Sequence, residues 1–293
     1  MTTRRPYQLA LAGALVMAAL LGAFLLLKPQ PEPVYNGKTL SEWIAVSDDD
    51  PAEKARKAAA ISHLGTNAVP FLLEWIQYEP QPKAWRARLY SLQVALGWKI
   101  QSKAVEKWRR AENASKAFQY LGSDARGMAI PELRNLAIVR KPCNTRAMQA
   151  LSALRMDGLP SLIEALGYPD LAVTESAIWA IGKMGTNALP AIPVLVNLLT
   201  NSDVDTAMGS LMSLGGLKLE PNLVVPALTN ALLATGIDQG SVLYVLGQYG
   251  RKAQAAVPLL QEYLMSPSEH LRRSATNALR KINPEALRRA TEK

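Results

Sequence analysis

The sequence predicts an all-α protein: a solenoid of about six to seven helical hairpins, preceded by an N-terminal membrane helix. Three observations lead to this fold class, namely apolar columns that recur along the chain, a proline that recurs in register with them, and one uncharged apolar run near the N-terminus. About half of the 293 residues are hydrophobic and 19% are charged, which is the composition of a folded protein.

The apolar run is Leu9–Leu27, nineteen residues without a charge that follow Arg4 and Arg5. At about 1.5 Å per residue a helix of this length reaches roughly 28 Å, close to the hydrocarbon thickness of a bilayer. The basic flank favours an N-terminus inside and a body outside. We therefore expect residues 1–28 to be an uncleaved signal anchor in a bacterial inner membrane, with the body facing the periplasm or exterior. The alternative is a body secreted after signal cleavage.

Residues 29–53 are expected to be a spacer and an N-terminal cap. The Pro-rich segment 29–33 cannot form a helix interior and is typical of a stiff, extended spacer. Thr39 or Ser41 could then cap a short helix that covers the exposed end of the repeat array.

Three apolar columns mark the first helix of each hairpin. The last apolar residues before the turn are Leu64, Leu121, Leu154, Met184, Leu214, Leu246 and Ile282. Three positions earlier stand Ile61, Phe118, Leu151, Ile181, Leu211, Leu243 and Leu279. Four positions earlier stand Ala60, Ala117, Ala150, Ala180, Ser210, Val242 and Ala278. A small residue beside a large one on one stripe suits close helix packing. In five of the seven first helices a glycine directly follows the last apolar residue, where it would stop the helix in the left-handed conformation.

A proline marks the start of each second helix, since its missing N–H has no partner in a first turn. These prolines are Pro70, Pro131, Pro160, Pro193, Pro226 and Pro258, and two residues after them stand Leu72, Leu133, Leu162, Leu195, Leu228 and Leu260. From Pro131 onward the spacings are 29, 33, 33 and 32 residues. Such a period indicates a repeat of one helical hairpin.

The pattern Leu-Gly, Ala, Pro, Leu, as in Leu64–Pro70 and Met184–Pro190, resembles the HEAT-repeat families, particularly the HEAT-like repeats of phycobilisome lyases. The segment after the apolar run also resembles bacterial membrane-anchored HEAT proteins. This resemblance implies a right-handed superhelix over residues 54–293, with the second helices on its concave side. Two stretches depart from the pattern: an irregular insertion near 77–112, and the turn Arg155–Asp157, which lacks glycine.

A polar ladder accompanies the second helices, four residues after each proline. Its members are Glu74, Asn135, Glu164, Asn197, Asn230 and Glu262. They point away from the leucine column, so they form either a solvated face or a groove that binds a peptide of a protein partner.

A basic patch lies in residues 81–156, which hold fifteen Lys and Arg but only four Asp and Glu. Its candidate members are Arg86, Arg88, Lys103, Lys107, Arg109, Arg110, Arg134 and Arg146. Basic residues interleaved with Trp can grip phosphates and stack bases. A body outside the cytoplasm argues against nucleic acid and favours anionic lipid headgroups or acidic envelope partners, while a solvated helix face is the remaining alternative.

Little in the chain points to chemistry. A single cysteine, Cys143, excludes an internal disulfide, and His63 has no paired acid or cysteine nearby in the sequence. His270, beside Glu269 at a helix start, is likewise expected to be a surface or half-buried histidine. We expect no catalytic, cofactor or metal site and no small-molecule substrate. The leading hypothesis is a non-enzymatic, membrane-anchored scaffold for protein–protein interaction. The alternatives are a nucleic-acid or anionic-surface binder and an enzyme like the HEAT-like lyases or glycosylases.

Overall fold

Short helices joined by tight turns make up most of the chain. The computed structural model describes residues 30–79, 103–139, 145–200, 203–233 and 236–291. The expected anchor, Leu9–Leu27, lies outside the described residues. Within the described ranges, no helix combines the length and the hydropathy needed to cross a bilayer.

The body begins with a small element that the sequence did not predict. β1 (Val34–Tyr35) and β2 (Lys38–Thr39) form an antiparallel hairpin whose two-residue turn, Asn36-Gly37, has positive φ at both positions. An Asn-Gly pair favours this turn because both residues tolerate the left-handed region. The hairpin leads directly into α1 (Leu40–Ala45), so the body carries one two-stranded ribbon beside its helices.

A capping box starts α1 at Thr39, one of the two expected caps. The Thr39 hydroxyl accepts a hydrogen bond from the Glu42 N–H, and the Glu42 carboxylate accepts one from the Thr39 N–H at 2.7 Å. The buried face of α1, with Leu40, Trp43 and Ile44, then covers the first repeat. The cap therefore shields the end of the apolar seam from water, as a solenoid requires.

Seven helix pairs follow in the described residues. In chain order they are α2 (Pro51–Leu64) with α3 (Val69–Ile76), α4 (Lys103–Ala117) with α5 (Ser123–Arg134), α6 (Thr145–Ala153) with α7 (Leu159–Leu166), α8 (Leu171–Gly182) with α9 (Ile192–Leu198), α10 (Val204–Leu217) with α11 (Pro221–Leu233), α12 (Gln239–Gln248) with α13 (Val257–Tyr263), and α14 (Glu269–Ile282) with α15 (Pro284–Thr291). From α4 onward, the first helices of successive pairs pack against each other, and in the first six pairs each second helix packs against the first helix of the following pair.

One continuous core runs through all of these pairs. Every residue of the three first-helix columns is buried, from Ala60, Ile61 and Leu64 at one end to Ala278, Leu279 and Ile282 at the other. The six leucines that follow the prolines are fully buried as well. The predicted helical solenoid is thus confirmed by the position of its apolar residues.

The expected insertion near 77–112 contains a regular helix. Residues 80–102 lie outside the described residues, but Lys103 already begins α4, which packs between α3 and α6 as a first helix. A 3₁₀ turn over Phe118–Tyr120 ends it, so the column residue Phe118 reaches the core from that turn.

Two of the six prolines do not open a helix. Pro70, Pro160, Pro193 and Pro258 stand in the first turn of their helices, as expected. Pro131 and Pro226 instead lie inside α5 and α11, which begin at Ser123 and Pro221. In these two pairs a regular helix stands where the other pairs have a 3₁₀ turn before the proline. Because proline has no N–H, one backbone hydrogen bond of the helix is missing at each of these two prolines.

The glycines near the turns perform two different tasks. Gly65 and Gly185 have φ of 51° and 57° and stop their helices in the expected left-handed conformation. Gly122 is extended, whereas Gly215 and Gly247 lie inside helices. In the pair that contains Gly215, Lys218 and Glu220 have positive φ, and in the pair that contains Gly247, Gly250 does.

Gly215 and Gly247 permit close contact between neighbouring first helices. A Cβ added to Gly215 would lie 3.0 Å from Cγ2 of Val245, and one added to Gly247 would lie 3.1 Å from Cα of Ala278. Distances this short are rare between real side chains. The absent Cβ therefore lets α12 approach α10, and α14 approach α12.

Hydroxyl groups connect each pair to the preceding one. The Tyr249 hydroxyl donates to the carbonyl oxygens of Leu214 or Leu219, at 3.0 and 3.1 Å, and burial raises its pKa. Ser213 donates to Ile178 O in the same way, at 3.1 Å. These bonds give the two hydroxyl groups acceptors on the preceding pair.

Aspartates cap several of the first helices, a periodic signal beyond the apolar columns and the prolines. The carboxylates of Asp50, Asp170, Asp203 and Asp238 each accept a backbone N–H of the first turn, at 2.7–3.1 Å. These four helices therefore begin at defined residues despite the short turns before them.

The turn that lacks glycine is strained at Arg155. This residue has φ of 57°, the value that Gly185 has at the equivalent position, and Gly158 follows three residues later. A Cβ on Gly158 would lie 2.0 Å from the carbonyl oxygen of Leu151. The third pair thus places its glycine where the backbones touch and leaves an arginine in the left-handed position.

Exchanging these residue types tests the strain. We expect Arg155→Gly to raise the free energy of unfolding by roughly 0.5–1 kcal/mol, because left-handed backbone is costly for any residue with a Cβ. Gly185→Ala is the matched reversal and should lower it by about 1 kcal/mol. Urea denaturation measures both, and a destabilised Arg155→Gly protein would contradict this account.

Candidate functional site

The polar ladder lies on the outward face of the second helices. Glu74, Glu164, Asn197, Asn230 and Glu262 are exposed. Each stands two residues after a fully buried leucine, so the same helical turn anchors the ladder residue and presents it to solvent. The position of this ladder on the concave side of the superhelix stays a prediction.

Asn135 is the one ladder member that is half-buried. It follows α5 and opens a turn of π-helix, Asn135–Val139, whose apolar side chains Leu136, Ala137 and Ile138 enter the core. Its side-chain amide donates to the Glu132 carboxylate at 3.4 Å. The wider π turn draws this residue toward the core, so the ladder is less regular in the second pair than in the later ones.

Arg134 connects the ladder to the basic patch. Its guanidinium makes two hydrogen bonds to the carboxylate of Glu164 on the next second helix, one of them at 2.7 Å from Nε. Hydrogen bonding by Arg134, aided by its charge, lowers the pKa of Glu164. One ladder carboxylate and one basic-patch guanidinium thus neutralise each other.

The remaining members of the basic patch do not form one surface. Arg86 and Arg88 lie outside the described residues. Arg146 is mostly buried; its Nε lies 3.4 Å from the Glu112 carboxylate, and its guanidinium donates to the Tyr78 carbonyl oxygen at 2.7 Å. Arg146 therefore joins α3, α4 and α6 within the protein instead of facing a ligand.

α4 carries the rest of the patch. Lys103 and Arg109 are exposed, and the Lys107 ammonium lies 5.8 Å from the centre of the Tyr78 ring. Arg110 lies 5.3 Å from the centre of a Trp75 ring and 4.0 Å from the Glu32 carboxylate. Together with Glu74, these residues border an open cleft of about 370 Å³ between α3 and α4.

A second open cleft lies on the first-helix face, where the sequence analysis placed no site. Trp179 on α8 is 51% exposed and borders it together with Gly182 and Met212; its volume is about 320 Å³. The signal that could have found it is a large aromatic residue one position outside the buried columns. Its lining is mostly apolar, with Glu175, Lys183 and Ser213 as its polar members.

His270 lies near the carboxylate of Asp238, with which it borders an open cleft. The His63 ring packs against the Tyr35 ring, with centroids 4.5 Å apart, and His270 packs against the backbone of Gly240. Asp48 accepts hydrogen bonds from Lys57 and from the Tyr120 hydroxyl, and burial raises the pKa of Tyr120 to about 12. Among the described residues, no three His, Cys, Asp or Glu side chains could together hold a metal ion.

A family model matches one of the repeats. Residues 175–201, which span most of α8 and all of α9, match the model of the PBS lyase HEAT-like repeat. The chain thus contains a segment that matches a HEAT-like repeat. The matched segment contains the ladder residue Asn197 and the exposed Trp179 of the second cleft.

Solved structures with similar folds are repeat proteins or engineered proteins. A designed armadillo repeat protein is 14% identical, with 73% of this chain and all of that one covered, at a TM-score of 0.39. An engineered protein is 18% identical, with 85% and 77% covered, also at 0.39. The complex of CpcE and CpcF of phycocyanin lyase from Nostoc sp. is 20% identical, with 90% and 98% covered, at 0.32. Comparison with curated proteins gives no match.

The pairing of Arg134 with Glu164 predicts a measurable change in titration. We expect Arg134→Gln to raise the pKa of Glu164 toward its ordinary value, because the carboxylate loses its two hydrogen bonds. Since the pair lowers the carboxyl pKa, its small stabilisation is present above the unfolded pKa and disappears as the pH falls through the folded value. Carbon-detected NMR titration of the carboxyl group measures this shift.

The matched control is Arg126→Gln, which removes an exposed arginine paired with Asp157 at 2.9 Å. It should leave the titration of Glu164 unchanged. Equal Glu164 pKa values in the parent protein and in Arg134→Gln would show that the ion pair does not form in solution.

Proposed function

We propose that the chain is a membrane-anchored scaffold that binds a protein partner along the polar ladder and catalyses no reaction. The observation that supports this most is the ladder itself: an exposed polar side chain on five of the second helices, whose opposite face is buried in the core. A rigid surface of this kind binds without first being ordered, which lowers the entropic cost of association.

The spacing of the ladder suits an extended polypeptide. Packed helices lie about 8–10 Å apart, and an extended chain advances about 3.3 Å per residue. One ladder side chain would therefore meet roughly every third residue of a bound strand. Asn197 and Asn230 suit this role because an amide can donate to a peptide carbonyl and accept from a peptide N–H.

Charge along the ladder favours a partner that is basic toward one end. Glu164 is already neutralised by Arg134, whereas no ion pair is found in the structure for Glu262. The segment Asn197, Asn230 and Glu262 therefore offers two neutral amides followed by one exposed carboxylate. A bound strand with a Lys or Arg opposite Glu262 would complement it.

The anchor remains part of this proposal. The uncharged segment Leu9–Leu27 with Arg4 and Arg5 before it supports a single-pass helix with the body on the periplasmic or outer side of a bacterial inner membrane. Tethering a scaffold in this way would raise the local concentration of any partner held in the same membrane.

The enzyme alternative has less support. Acyl transfer, glycosidic cleavage or lyase chemistry needs an acid and a base facing one reacting atom. In the parts of the chain that the structure describes, His63 packs against the Tyr35 ring, and Glu164 faces arginine. The Asp238 carboxylate near His270 accepts the Ser241 N–H that caps α12. The clefts beside Trp75 and Trp179 are open surfaces.

Photo-crosslinking tests the ladder directly. We expect a photoreactive residue at position 197 or 230 of the full chain, in intact cells, to form an adduct with the same protein from both positions. The control position is Asn277, which is exposed on the first-helix face of α14. The combined change Asn197→Ala and Asn230→Ala should lower the adduct formed from position 262 about thirtyfold, since each lost amide removes about 1 kcal/mol. Stronger crosslinking from position 277 than from the ladder would overturn the proposal.

A further inference from the structure

The first two turns of α4 project from the body. Residues 103–109 are all exposed, whereas the helix becomes buried from Ala111 onward. This projecting part carries Lys103, Lys107 and Arg109 against one acidic residue, Glu106. Trp108 lies among them and is 46% exposed. A short helix end with basic side chains and an exposed indole has the composition of surfaces that lie on a bilayer.

The start of the described chain lies beside this helix. The Glu32 carboxylate is 4.0 Å from the guanidinium of Arg110, and its other oxygen accepts the Ser41 N–H at 3.0 Å. α1 packs on α4 as well. The N-terminal segment is therefore fixed against α4 by Arg110, directly after the exposed basic turns.

Chain length then limits how far α4 can lie from the proposed anchor. Only residues 28–31 separate Leu27 from Glu32, and five peptide steps reach at most about 18 Å even when fully extended. Lipid headgroups themselves occupy several ångströms of this distance. A chain anchored through Leu9–Leu27 thus holds the projecting turns of α4 close to the membrane surface.

We propose that the exposed first two turns of α4 lie on the headgroups of an anionic phospholipid bilayer. The proposal rests on the anchor in the proposed function, which supplies the proximity. Lys103, Lys107 and Arg109 would contact the phosphates, and Trp108 would enter the interface between headgroups and acyl chains. The contact fixes the orientation of the first helix pairs relative to the membrane.

Other features of the basic patch favour a bilayer over nucleic acid. Arg134 and Arg146 are paired with the carboxylates of Glu164 and Glu112. At these positions the patch therefore does not continue along the solenoid as a surface for a phosphate backbone. Among the described residues, the exposed members of the patch, Lys103, Lys107 and Arg109, lie on one helix end next to the start of the body. A small basic patch at the proposed anchor suits a planar anionic surface.

Tryptophan quenching by brominated lipid tests the contact. The full chain is reconstituted into vesicles of phosphatidylcholine with or without 30% phosphatidylglycerol, both containing brominated acyl chains. The signal of Trp108 is the fluorescence difference between the parent protein and Trp108→Phe. We expect this difference to be strongly quenched only in the anionic vesicles, and the quenching to weaken as salt is raised.

Charge reversal supplies the matched comparison. Lys103→Glu with Arg109→Glu should abolish the Trp108 quenching, since each basic residue near an anionic surface contributes about fivefold to binding and reversal doubles the change. Arg251→Glu with Lys252→Glu reverses two exposed basic residues near the other end of the array and should change nothing. Unquenched Trp108, no effect of the first pair, or displacement from the vesicles by an oligonucleotide would overturn the proposal.

Alkaline carbonate extraction separates this proposal from the anchor. Protein that stays in the membrane while Trp108 is unquenched refutes the α4 contact and leaves the anchor intact. Protein that carbonate removes, but whose Trp108 is quenched by anionic vesicles, refutes the anchor and supports the contact. Loss of both signals refutes both.

Discussion

The close approach of neighbouring first helices is the constraint on which the rest of the structure depends. Gly215 and Gly247 place helix backbone where any other residue would place a side chain, and the facing residues Val245 and Ala278 fill the space. Because each pair contacts mainly its neighbours, the core extends by one pair at a time. The hydroxyl of Tyr249, bonded to carbonyl oxygens of the preceding pair, holds the same contact by hydrogen bonding.

This packing also determines where function can be located. A helix that buries its apolar stripe in the core exposes its polar stripe to solvent. The polar ladder and the buried apolar columns therefore result from the same sequence pattern. The ladder recurs with the helix pairs, and its side chains stand on second helices held by fully buried leucines. Such a surface can bind an elongated partner but offers no enclosed pocket, which is why the proposals concern a protein partner and a membrane.

The sequence predicts the buried apolar columns well because burial follows the local periodicity of apolar residues. In every first helix, from the one with Ile61 to the one with Ile282, the column residues stand at the same three positions before the turn. Their burial can therefore be predicted without knowledge of any distant contact. The cap at Thr39 is also local, since its partner Glu42 is three residues away. Residue type is less informative about the turns: Gly215 and Gly247 look like helix stops in the sequence but serve helix contact, while Arg155 takes the left-handed position of a glycine.

The candidate sites depend on partners distant in sequence, and here prediction reaches its limit. Nothing near Arg134 indicates that Glu164, thirty residues later, neutralises it, or that Arg146 is taken up by Glu112 and the Tyr78 carbonyl. The predicted patch of eight basic residues is thereby reduced to the end of α4 and the positions outside the described residues. Trp179 was missed for a related reason, since its cleft exists only when α8 lies beside α10.

Hydrogen exchange of two adjacent glycine variants tests the central claim most directly. Gly215→Leu and Gly216→Leu make the same change at neighbouring positions of α10, and both should improve helix propensity by roughly 1 kcal/mol. Only Gly215 faces another helix; nothing lies within 4 Å of a Cβ added to Gly216. The account predicts that Gly215→Leu lowers amide protection in α10 and α12 while that of α2 persists, and that Gly216→Leu keeps or raises protection. Equal protection in the two variants would show that the helices do not meet as described.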